Sequence, residues 1–139
     1  MNRVGVLIFI SLTILTHTTV LGVDWKFLQE NEKGEFFYDA ENLVPLSEKT
    51  IGVWLKVVYS AKFKEQEGLK DLHHTVGFWE IHCQDRMIRL LLSSHFSEDR
   101  PEEIPSLPRV FKTPDWEPIS TNTVLDELYI TICKQLRKI

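Results

Sequence analysis

The stretch TVGFWEIHCQDRMIRLLLSSHF, Thr75 to Phe96, reads as two strands that turn back on each other at Gln84 and Asp85. Successive side chains on a strand point to opposite faces, so register decides which residues share a face. Pairing Cys83 with Arg86 puts Ile81 across from Ile88 and Trp79 across from Leu90. Trp79, Ile81, Cys83, Ile88, Leu90 and, further along, Leu92 then form one apolar face. Glu80 falls opposite Arg89 on the other face, where a solvent-exposed charge pair is expected. A helix is the competing reading of RMIRLLLSSHF, because Met, Leu and Arg are good helix formers. Alternation in the preceding strand favours the hairpin.

Cys83 lies beside His82, which raises the question of a nucleophile with its base. Strand geometry sends the two side chains to opposite faces, which argues against that pair. The chain holds two cysteines, Cys83 and Cys133. In an exported protein an even count favours a disulfide.

Export is indicated by the N-terminus. Arg3 precedes the uncharged run VGVLIFISLTILT, then the polar HTTVLG, with Val20 and Gly22 as small residues before a cut. Residues 1–22 have the layout of a signal peptide, with cleavage expected after Gly22. An uncleaved anchor is the alternative, because Val4–Val23 lacks a full charge over about the length that spans a bilayer. Residues 23–139 then form a single domain. Loss of the signal removes one basic residue, Arg3, and no acid, so the net charge moves from −4 to −5. A mildly acidic domain is a poor binder of nucleic acid or anionic membrane through net charge.

The remaining segments fill in the architecture. DWKFLQ and EFFYDA flank a turn at Gly34 and form a first hairpin, with Glu30, Glu32 and Glu35 as solvated turn residues. AENLVPLSEKT breaks the pattern at Pro45 and reads as a loop or a short helical turn. Ile51 to about Ser60 is a β-branched strand. KFKEQEGLKDLHH is charged, contains Gly68, and reads as a solvated loop or hairpin tip. Five of the six prolines lie from Pro101 to Pro118, so this stretch is neither helix nor central strand. It is expected to be an ordered connection anchored by Phe111 and Trp116. Its PSLP resembles a polyproline ligand, but readers of such motifs are mostly intracellular.

Thr123 with Asp126 marks a helix start, and Leu125, Leu128, Ile132 and Leu136 form a stripe beside Tyr129 and Cys133. Asp126 and Glu127 in the first turn, and Lys134, Arg137 and Lys138 in the last, suit the helix dipole. A stripe of this kind must be buried, and Cys133 on its edge with Cys83 on the inner sheet face bolts helix to sheet. The expected fold class is α+β: a small antiparallel sheet with a C-terminal helix packed on one face and disulfide-linked to it. No catalytic, cofactor or metal motif is present. His73 and His74, with Asp71 or His82, offer at most an incidental metal site.

Several landmarks occur in a distinctive order: DWKFL, EFFYD after a glycine turn, VWLK, EIHCQDRMIR, and WEPIS ahead of a helix ending in ICK. In that order the chain resembles the surface-adhesin protein E-like family of Gram-negative bacterial envelopes, over Val23 to Lys134. The resemblance implies an antiparallel sheet with a packed C-terminal helix and a Cys83–Cys133 bridge. It also implies binding of host matrix and plasma proteins, without catalysis. The chain lacks the lipid-anchor cysteine of an outer-membrane adhesin, which favours a soluble periplasmic or secreted protein.

The expected function is a non-catalytic exported envelope protein that binds a protein partner. The competing readings are a small periplasmic enzyme built around Glu80, His82 and Arg89, and a structural accessory of an envelope complex. With Cys83 in the bridge and Glu80 paired to Arg89, His82 is expected to be exposed on the outer face near Phe78, Met87 and Leu91. That mixture of aromatic, aliphatic and polar residues suits a protein contact. Processing is the most direct test of export: N-terminal sequencing of protein from native envelopes should begin at or near Val23. Full-length chain in the membrane fraction would establish the anchor instead.

Overall fold

The computed structural model describes residues 22–99, 109–110 and 114–137. Expectations for residues 1–21, for PSLP and for Phe111 lie outside these residues. So does the burial of Leu136, whose side chain is not described.

Two hairpins and a long central strand make the sheet. β1 (Trp25–Asn31) pairs with β2 (Gly34–Asp39), β2 with β4 (Thr50–Tyr59), β4 with β5 (Leu72–His82), and β5 with β6 (Met87–Ser97), all antiparallel. The short β3 (Val44–Pro45), β7 (Arg109–Val110) and β8 (Glu117–Pro118) add to β4, β6 and β6 respectively. Helix α1 (Ala61–Glu67) follows β4, and α2 (Val124–Leu136) ends the fold. Among the described residues no helix is long and apolar enough to cross a membrane.

The β5–β6 register follows the apolar alternation: Ile81 opposes Ile88, Trp79 opposes Leu90 and Glu80 opposes Arg89. Ile51, Val53, Leu55, Phe36 and Tyr38 from the neighbouring strands complete the inner face. Leu128, Ile132 and Cys133 of α2 pack on it. Each fully buried aliphatic side chain here contributes about 1.5–3 kcal/mol. Leu92 departs from expectation. The ladder steps from Trp79–Leu90 to Phe78–Leu92, leaving Leu91 as a bulge and turning Leu92 to the outer face opposite Phe78.

KFKEQE is a helix rather than a loop. The Ser60 hydroxyl accepts from the Phe63 amide at 3.2 Å, and Gly68 closes the C-terminus at φ 67°. Phe63 stacks on Tyr59 with ring centroids 5.5 Å apart. Leu72–His74, expected in the same loop, begin β5. Val44–Pro45, also read as loop, form an edge strand, where a proline costs no ladder bond. The proline-rich connection contributes two short edge segments, consistent with its exclusion from the sheet centre.

The hairpin turn is tied to α2 by more than its sulfurs. Cys83 and Cys133 are bridged, with Cα atoms 5.7 Å apart. The Tyr129 hydroxyl donates to the Cys83 carbonyl at 2.8 Å. Arg86, in the left-handed region at φ 53°, is the third tie. Its guanidinium forms an ion pair with Asp126, donates through Nε to the Ile119 carbonyl at 3.3 Å, and lies 4.9 Å from the Tyr129 ring centre. A left-handed non-glycine residue costs on the order of 1 kcal/mol, which these contacts offset. Asp126 also accepts from the Asn122 amide at 2.9 Å, while the Thr123 hydroxyl accepts from the Asp126 amide at 3.2 Å. The helix start expected at Thr123 is therefore joined to the sheet through Asp126.

Closing a loop across 50 residues restricts the unfolded chain by about 4 kcal/mol. Cys83→Ser and Cys133→Ser should lower stability by similar amounts in urea melts, and the double variant by no more than either. A loss confined to Cys83→Ser would assign that thiol a role outside the crosslink.

Candidate functional site

α2 packs on the inner face, and α1 stacks Phe63 on Tyr59 of that same face. The outer face carries neither helix. Alternation brings Trp25, Phe27 and Phe37 of the first hairpin onto it, then Trp54 and Lys56 of β4, Phe78 of β5, and Phe96 of β6. Phe27 meets Phe37 edge-on at 5.8 Å and is 59% exposed. Trp54 packs on Phe78 with centroids 4.7 Å apart.

Lys56 sits between these rings, its Nζ 4.6 Å from the Trp25 centroid and 5.0 Å from Phe37. It makes no ion pair among the described residues. Partial burial lowers its pKa, and the two aromatic faces supply the attraction that a carboxylate would otherwise provide. At the far end of the face His74 stacks on Phe96 at 4.1 Å, and its Nδ1 lies 2.8 Å from Nδ1 of His73. One imidazole must donate in that contact, and at least one nitrogen must be unprotonated to accept. Burial, the neighbouring His73 and the Lys56 charge lower the His74 pKa to about 4. His82, proposed as a co-ligand of this pair, lies eight residues further along β5, about 27 Å away. Among the described residues no group of three His, Cys, Asp or Glu side chains is placed to share an ion.

The hairpin end of the face differs from expectation. Glu80, expected on the surface, is 6% exposed. Its carboxylate accepts from Arg89 Nε at 2.7 Å and from the Thr50 hydroxyl at 2.8 Å. The Arg89 guanidinium lies 4.2 Å from the Trp116 ring centre. Trp116 therefore anchors the C-terminal part of the proline-rich connection against this end of the sheet. His82, expected to be exposed, has a side chain only 16% exposed. Its Nδ1 accepts from the Asp85 amide at 3.1 Å, Nε2 lies 3.6 Å from the Asp85 carboxylate, and its ring meets Trp116 edge-on at 6.0 Å. Met87 pairs with Pro118 of β8, and Leu91 is the bulged residue. Of the four residues expected to make a contact, Phe78 lies in the aromatic row, while His82 and Met87 lie under the edge of the connection.

Sequence reasoning missed Trp25, Phe27, Phe37, Trp54 and Lys56 as a continuation of this face. Their alternation was visible within each strand, but the strand order that aligns them was not.

The geometry defines a disulfide-stapled α+β domain with, among the described residues, one sheet face bare of helices. The chain belongs to the surface-adhesin protein E family, whose profile matches residues 25–134. No curated protein and no solved structure matches it.

The burial of Glu80 changes what Arg89 is worth. Arg89→Ala strands a buried carboxylate and should cost about 2 kcal/mol in urea melts, rather than the small loss of a surface pair. Adding Glu80→Gln should recover much of that loss, because the stranded charge disappears. Equal stability of wild type and Arg89→Ala would return the pair to solvent.

Proposed function

We propose that the protein is an exported, non-catalytic, adhesin-like module of the cell envelope that binds a protein partner through the outer face of its sheet. Residues 1–22 serve as its signal peptide, and it works in the periplasm or outside the cell. The aromatic row from Trp25 and Phe27 through Trp54 to Phe78, with Lys56, which has no ion pair among the described residues, between the rings, is the observation that carries this reading. Aromatic residues are enriched at the energetic centres of protein interfaces. Membership of a surface-adhesin family supports the same reading. Phe78 sits in the row, with Leu91 on the adjoining strand and His82 and Met87 at its margin.

Catalysis lacks support at the hairpin. The Cys83 sulfur is in a disulfide, and both His82 nitrogens face its own turn. A nucleophilic mechanism needs a free nucleophile within reach of a base.

The test is surface plasmon resonance against a panel of immobilised matrix and plasma proteins. Phe27→Asp and Lys56→Glu should each weaken capture by roughly tenfold or more, as expected at an interface centre. The thermal midpoint of Phe27→Asp should stay close to wild type, because that ring is largely exposed. Undiminished binding by both variants would move the contact elsewhere. Hydrolytic turnover that His82→Ala removes would overturn the non-catalytic reading.

A further inference from the structure

Helix α2 covers only part of the inner face. Beneath Leu128, Ile132 and Cys133, the side chains of Ile51, Val53, Ile81 and Ile88 are sealed. Further along the same strands the face stays open between the start of α2 and helix α1, which buries none of its own residues. The result is a groove of about 690 Å³, within the range of small-molecule sites. Leu55, Val57, Trp79 and Leu90 floor it, and the stacked Tyr59 and Phe63 close one end. Gly77 keeps the floor low. A Cβ there would sit 3.0 Å from Trp79 Nε1 and 3.1 Å from Leu90 Cδ1, so the indole and the leucine lie close against the bare backbone.

The polar groups of the groove are selective. Ser93 lines it at 7% exposure, and neither its hydroxyl nor the Trp79 indole N–H has a hydrogen-bond partner among the described residues. Among the described residues no buried side-chain nitrogen or oxygen is left unsatisfied, so both groups reach open space, and the groove is the space they line. Both can donate to an acceptor brought by a ligand. Among the described residues Lys33 is the single charged one in the lining, on the turn between β1 and β2. Glu30 and Glu35 of the same hairpin face one another on the other side of the sheet, across the ladder from Val58.

From this we infer that the groove binds a single-chain amphiphile with an anionic head: the apolar tail on the Leu55–Val57–Leu90 floor and the head at Lys33. The occupant is distinct from the protein partner of the outer face. An apolar floor asks for a tail, and the lone cation among the described lining residues favours a carboxylate over a neutral or cationic head.

The probe is dodecanoate, added below its micelle concentration to the folded, oxidised protein carrying ¹³C-labelled Leu and Val methyl groups. Saturable shifts should appear at Leu55, Val57 and Leu90, with Val76 and Leu92 of the outer face unmoved. Dodecyltrimethylammonium should bind roughly fivefold more weakly, the contrast expected of one exposed ion pair. Lys33→Glu should reverse that preference without changing the thermal midpoint, since Lys33 is exposed. Equal binding of both head groups, shifts centred on Val76 and Leu92, or no saturation below the micelle concentration would each overturn the inference.

Discussion

The crosslink between Cys83 and Cys133 sets the inside and outside of this protein. It grips the tight end of the β5–β6 hairpin and the C-terminal half of α2, and the Tyr129 hydroxyl and Arg86 hold the same turn from either side. With the helix pinned there, its apolar stripe seals the near half of one sheet face. The far half of that face lies beyond the helix start, and among the described residues the opposite face receives no helix. Groove and aromatic row are both consequences of where one thirteen-residue helix is fastened.

Three buried acids show how the domain handles charge at its seams. Asp39 accepts from the amides of Asp24 and Glu41 and from the Asn42 side chain, holding the N-terminal strand to the end of β2. Glu80 is paired with Arg89 and hydrogen-bonded by Thr50. Asp126 takes Arg86 and the Asn122 amide at the start of α2. Each carboxylate sits where chain segments meet and is fully engaged, as a buried charge must be if it is not to destabilise the fold. These contacts specify which segments meet, while the apolar inner face supplies most of the driving force.

Much of this was legible in the sequence, and the failures have physical causes. The hairpin register could be read because Trp79, Ile81, Ile88 and Leu90 alternate with polar neighbours. The C-terminal helix could be read because its stripe, cap and charges agree. Helix α1 was hidden because its seven residues hold a single large apolar side chain, Phe63, and so no stripe; its signals were the caps, Ser60 and Gly68. The bulge was hidden because Leu90, Leu91 and Leu92 offer no alternation to break. The Arg86–Asp126 pair spans 40 residues and depends on a left-handed turn, neither of which a local pattern encodes. For the outer face the residue types near the hairpin were legible, but their burial was not, because Trp116 reaches them from a distant segment.

The bulge at Leu91 makes strand register a carrier of information. Counted without it, Leu92 would fall on the inner face and Ser93 on the outer; with it, Ser93 lines the groove and Leu92 joins Phe78. Straightening the bulge without removing a residue would exchange the two, filling the groove with a leucine and leaving a hydroxyl among the aromatic rings, whereas deletion of Leu91 would remove the bulge and leave both faces as they are. In the straightened strand composition would not change and every strand would still pair. The two surfaces of this domain thus depend on where the extra residue is accommodated as much as on residue identity, and a homologue that kept the same eleven residues in this strand but paired them without the bulge would keep the fold while trading one surface's chemistry for the other's.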